Sequence, residues 1–169
     1  MEKKKILLRN YLIVAVMIVA VIGLGFLITN INKNYQNNKI KTSPLIKIVK
    51  KHDYSELNTI INTNDKNEFI YFSYTNDKDV YELDQKIKKI IENNKLKDQF
   101  IYFDLSKQNN IALINELNTI LNLTNDEIIS LPCLVYFRDN KLMDVISSNF
   151  MPFNDGKMMQ LIDIYELNK

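Results

Sequence analysis

Leu131-Pro132-Cys133-Leu134-Val135-Tyr136-Phe137-Arg138-Asp139-Asn140 is the most informative stretch of this chain. A loop closes on Pro132, and an apolar run from Leu134 to Phe137 follows it as a strand. Asp139-Asn140 then breaks the run with two residues that tolerate the positive φ of a tight hairpin turn. Residues 142–146 (Leu-Met-Asp-Val-Ile) return as the second arm. The stretch therefore predicts a terminal hairpin entered through a proline loop.

Upstream, Phe69-Ile70-Tyr71-Phe72 and Phe100-Ile101-Tyr102-Phe103 are continuous apolar runs. Strands covered on both faces of a parallel sheet look like this, whereas half-exposed strands alternate. Between them Val80, Leu83, Ile87, Ile90 and Ile91 fall on one helical face, with Lys86, Lys88 and Lys89 off it. Ile111, Ile114, Leu117, Ile120 and Leu121 mark another helix, and Met158, Leu161, Ile162 and Tyr165 a closing one over residues 154–167. Leu45-Ile46-Lys47-Ile48-Val49 reads as a first strand, and residues 54–61, with Leu57, Ile60 and Ile61 at helical spacing, as the helix after it. The predicted order is β-α-β-α-β-α-β-β-α, with parallel strands joined by helices before the hairpin.

Residues 45–169 in this order resemble the thioredoxin-like superfamily, an α/β fold of three layers (α/β/α) with parallel strands and a C-terminal hairpin. The pieces that carry the resemblance are the strand end Tyr71-Phe72, the helix opening Asp77-Lys78-Asp79-Val80, and Leu131-Pro132 before the run 134–137. Within that superfamily the chain is most similar to the membrane-anchored bacteriocin transport accessory type. The resemblance implies that the Leu131–Pro132 peptide is cis and faces the helix that begins at Asp77. It also implies a redox site that has lost its chemistry, because Asp77 and Val80 stand where the two thiols of C-x-x-C belong. In redox members the first cysteine is activated by the helix N-terminus. A carboxylate there is stabilised by the same field but does not exchange with a disulfide. Asp77 therefore reads as a helix cap, and Asp79 with Glu82 fits a capping box. The buried acid that many thioredoxins place before the strand-end Phe is replaced by Tyr71.

Cys133 follows the proline where thioredoxins usually carry Thr, and it joins Leu131 and Pro132 as an expected lining of the groove. Two readings of it stand: a lone thiol able to form a mixed disulfide, or a small buried residue. Asp77 across the groove would raise its pKa by like-charge repulsion. The chain has one cysteine and one histidine, so an internal disulfide, a His-based metal site and a Ser-His triad are not expected. His52 reads as a solvated residue before a helix. Asp77, Asp79 and Glu82 lack the spacing and the glycine of a calcium loop. No catalytic residue, cofactor or metal is expected.

A net charge of +2, from 22 Lys+Arg against 20 Asp+Glu, gives no basic stripe, and no nucleic-acid partner is expected. Residues 11–29 carry no charge and are almost wholly apolar, close to the roughly 20 residues that cross a bilayer. The run is longer than a secretory h-region and ends Phe26-Leu27-Ile28-Thr29-Asn30 without a small-x-small site, so it reads as a retained signal anchor. Lys3, Lys4, Lys5 and Arg9 place residues 1–10 in the cytoplasm and the folded domain outside a single-pass membrane protein. Residues 30–44, rich in Asn and Lys, read as a flexible linker. The expected function is a membrane-tethered, extracytoplasmic, non-redox module that binds a protein or peptide client as a chaperone-like or export-accessory domain. The alternatives are a single-thiol oxidoreductase using Cys133 and a structural subunit of a membrane complex.

Overall fold

The computed structural model describes residues 2–63, 67–108, 111–123, 128–147 and 154–167. The chain forms two units, residues 1–39 and residues 40–169. The first is a single helix, α1 (Glu2–Lys39), which is long and apolar enough to cross a membrane. It does not stop where the apolar run stops. Residues 30–39, expected as a flexible linker, are helical, because they contain neither Gly nor Pro and extending an existing helix is far cheaper than nucleating one. The linker also ends early: Ser43 and Pro44 are buried parts of the second unit.

The second unit is built on a five-stranded sheet of order β1-β3-β2-β4-β5. Its strands are β1 (Lys51–His52), β2 (Glu68–Ser73), β3 (Phe100–Asp104), β4 (Cys133–Arg138) and β5 (Lys141–Ser147). β1, β3 and β2 run parallel, β4 lies antiparallel to β2, and β5 antiparallel to β4. Asp139 and Asn140 take φ of 49° and 60° and make the hairpin turn. The helices are α2 (Leu57–Thr63), α3 (Lys78–Asn93), α4 (Ile111–Ile120) and α5 (Asp155–Ile164).

Because strand side chains alternate, the aromatic runs divide between two cores. Phe69, Tyr71, Phe100, Tyr102, Leu134 and Tyr136 meet Ile87 and Ile91 of α3 and Met158 and Ile162 of α5. Ile70, Phe72, Phe103, Cys133 and Val135 meet Leu57 of α2 and Leu113 and Leu117 of α4. The sheet is thus covered on both faces, which is why its central strands read as unbroken apolar runs.

The first strand is a correction. Leu45-Ile46-Lys47-Ile48-Val49 is not extended; a 3-10 helix spans Pro44–Lys47, and the strand is the pair Lys51–His52. Ser43 caps the turn by accepting from the Leu45 amide, and Pro44 brings a φ already suited to its start. Leu45 and Val49, four residues apart, are both buried, while Ile46 between them is 42% exposed. That is helical spacing, which a five-residue apolar run does not distinguish from a strand. His52 does precede a helix, as expected, but it is not solvated. It lies in β1, with Nδ1 2.6 Å from Glu56 Oε2 and its ring tilted against Phe103.

Candidate functional site: a cleft beside Pro132

Helix α3 starts where the backbone turns out of β2. Asn76 adopts φ 65°, a conformation Asn accepts more readily than most residues, and its amide donates to the Ile40 carbonyl at 2.9 Å. Asp77 follows as the cap. Its Oδ1 accepts from the amides of Asp79 at 2.8 Å and Val80 at 3.0 Å, satisfying two of the helix's free donors. The expected capping box at Asp79 and Glu82 does not form, because Asp79 already lies inside the helix and Glu82 pairs with Lys78 at 3.6 Å. Asp77→Ala should therefore lower stability by about 1 kcal/mol, and Asp77→Asn by much less, since the amide oxygen accepts the same bonds. Urea midpoints of the two variants check this.

Facing that turn, the Leu131–Pro132 peptide is cis. Leu131, Pro132, Asp77 and Val80 line one cleft of about 420 Å³, completed by Tyr74, Asp79, Glu82, Leu83 and Lys86, with Asn154 and Asp155 at the start of α5. Four of the five residues singled out from the sequence thus come together. The backbone N–H and C=O of Leu131 find no hydrogen-bond partner among the described residues, although the residue is only 8% exposed.

Cys133 is the fifth residue, and it does not line the cleft. It begins β4, lies opposite Phe72, and points into the core under α2 and α4 with no exposed surface. Its thiol pKa is pushed up by burial; like-charge repulsion from Asp77, expected from the sequence, is not among the causes. The alternation of the strand accounts for this, since the residue after the loop turns its side chain to the face away from α3. Iodoacetamide should leave Cys133 unmodified in the folded full chain and alkylate it fully in denaturant. Mass spectrometry of the intact protein reads both states.

A buried acid is present after all, on a different element. Asp84 of α3 is 1% exposed, and its carboxylate accepts from Ser43 Oγ at 2.5 Å and from Tyr71 Oη at 2.8 Å. Burial raises its pKa to about 6, against the lowering effect of the two hydroxyls. Among the described residues no ion pair reaches it. The sequence signal was available: Asp84 interrupts the apolar stripe of Val80, Ile87 and Ile91. At the end of β3, burial would raise the Asp104 carboxyl, but Lys51 at 2.7 Å and Ser106 together outweigh it and hold the group below the usual carboxylate range. Among the described residues no cluster of His, Cys, Asp and Glu is arranged to hold a metal ion.

No family model matches the chain, and no curated protein matches it. Solved structures do. The thioredoxin of Trypanosoma brucei brucei matches with a TM-score of 0.51 and 18% identity, over 70% of this chain and 91% of its own. Thioredoxin f2 of Chlamydomonas reinhardtii matches with a TM-score of 0.51 and 13% identity, over 72% of this chain and 99% of its own. Together with the sheet order and the α/β/α layers, these likenesses give the chain a thioredoxin-like fold, preceded by one apolar helix of membrane-spanning length.

Proposed function

We propose that the chain is a membrane-tethered, extracytoplasmic peptide-binding module without thiol–disulfide chemistry. It would serve as a chaperone-like or export-accessory domain for a secreted or envelope polypeptide, as in the bacteriocin transport accessory type it resembles. The observation that carries this reading is the cleft itself, with Leu131, whose backbone groups have no hydrogen-bond partner among the described residues, in its lining. An extended segment pairs with such groups as an added strand does with a sheet edge, and neighbouring side chains supply selectivity. Thiol exchange needs an accessible thiolate and a second thiol to resolve the mixed disulfide. Asp77 occupies the expected place of the first thiol, Val80 that of the second, and the single cysteine is buried with a raised pKa. The same burial removes support from a single-thiol oxidoreductase.

A photocrosslinking residue placed at Asp79, an exposed position of the cleft, tests the reading in cells. Discrete polypeptide adducts are expected from that site and none from Ile111, which is 79% exposed on α4. Protease added to intact spheroplasts should digest the adducts. Adducts from Ile111 alone would sink the binding site, and adducts protected until lysis would reverse the orientation.

A further inference from the structure

The charges around the cleft do not follow those of the chain. Overall the sequence carries slightly more bases than acids, 22 to 20. The cleft is lined by four carboxylates, Asp77, Asp79, Glu82 and Asp155, against one ammonium, Lys86. That ammonium is engaged with Asp155 at 3.6 Å, and Glu82 faces Lys78 from outside the cleft at 3.6 Å. Asp77 spends one oxygen on the helix cap, and among the described residues Asp79 makes no ion pair. Burial first, and Asp77 and Asp79 after it, raise the hydroxyl pKa of Tyr74, which also lines the cleft. The floor between these acids is apolar, made by Val80, Leu83, Leu131 and Pro132.

We propose that this cleft takes an extended polypeptide segment that carries lysine or arginine next to an apolar residue. The inference rests on the peptide-binding reading and adds the class of client to it. Three features converge on a polypeptide and not on a small cation. The N–H and C=O of Leu131, which have no partner among the described residues, match a peptide backbone, the apolar lining matches an aliphatic side chain, and the acidic groups match the cationic head of a long side chain whose methylene stem lies along that lining. Rim charges of this kind set partner choice and association rate more than they set total affinity.

The test uses the full chain in non-ionic detergent and an array of immobilised seven-residue peptides of random sequence. Bound peptides should be enriched in Lys and Arg beside an apolar residue, with basic sequences held on the order of tenfold more tightly than their acidic counterparts. Reversal of two exposed rim charges, Asp79→Lys with Glu82→Lys, should turn the preference toward Asp and Glu, with an unchanged circular dichroism melt showing that the fold is intact. Capture of peptides without charge preference, or a basic preference that survives the reversal, would overturn the inference and leave the peptide-binding reading in place. Capture of no peptide at all would overturn both. Spermine should not displace bound basic peptide at equal charge concentration; if it does, the site is one for small cations and the proposal is wrong.

Discussion

Asp84→Asn is expected to stabilise the folded domain at pH 7 and to change it little near pH 4. The carboxyl pKa rises from 3.8 to about 6 on folding, so the folded state holds this proton more tightly than the unfolded chain does. A group raised in this way penalises the fold once it ionises. Its contribution is most favourable below the unfolded pKa, declines as pH rises from about 4 to about 6, and is flat above. A shift of this size corresponds to about 3 kcal/mol. Besides Ser43 and Tyr71, the Asp104 carboxylate acts on Asp84 and opposes its ionisation, and Tyr102 lies within reach of its charge. Asn keeps an oxygen to accept one hydroxyl proton and offers an N–H to the other oxygen, as the neutral acid does. Glu56 and Asp104, whose pKa values are lowered, act in the opposite sense and lose their contribution as pH falls. The difference between wild type and Asp84→Asn isolates the buried group. Urea unfolding of the full chain between pH 4 and 7, followed by the emission of its nine tyrosines in the absence of tryptophan, measures it. A difference that does not grow with pH would show that Asp84 is not buried as described.

Phe72→Ala is expected to cost about 3–5 kcal/mol, the range for truncating a fully buried Phe. Phe72 has no exposed surface and is stacked on Phe103 with ring centroids 5.4 Å apart. It is opposite Cys133 in the ladder, so its removal opens a cavity where β2, β3 and β4 meet under α2 and α4. Neighbours held in a ladder on two sides collapse poorly into such a space, and the cost rises with the volume left behind. Against a typical domain stability of about 5–15 kcal/mol, the loss leaves a marginal fold. Ile111→Ala, at a position 79% exposed, should shift the same urea midpoint by less than about 0.5 kcal/mol. Comparable losses at the two positions would contradict the burial of Phe72 and the exposure of Ile111 described above.

Much of the fold is legible in the sequence where apolar runs are long or punctuated. The runs 69–72, 100–103 and 134–137 are strands, and Asp139-Asn140 is the turn. Residues 45–49 were not legible, because five apolar residues after Ser43-Pro44 satisfy helical and extended patterns alike, and the Ser43 cap settles the matter only once the chain is folded. The end of the membrane-length helix was not legible either. Polarity marks where a span leaves an apolar environment, whereas a helix ends only where the backbone has reason to stop.

The site divides along the same line. The resemblance carried by the strand end Tyr71-Phe72, the helix opening at Asp77 and Leu131-Pro132 was enough to expect Asp77, Val80, Leu131 and Pro132 together, and the pairing of β2 with β4 brings them into one cleft. They were enough to leave the chain a single thiol. Which way that thiol points, and where the acid sits, only the tertiary structure decided. Cys133 faces the α2 and α4 core because strand register, not loop proximity, sets the direction of its side chain. Asp84 became the buried acid because helix α3 lies over Tyr71 and beside Ser43, which are separated from it by 13 and 41 residues in sequence. Burial and hydrogen-bond partners arise from contacts between distant segments, and a linear pattern records only the period of each segment by itself.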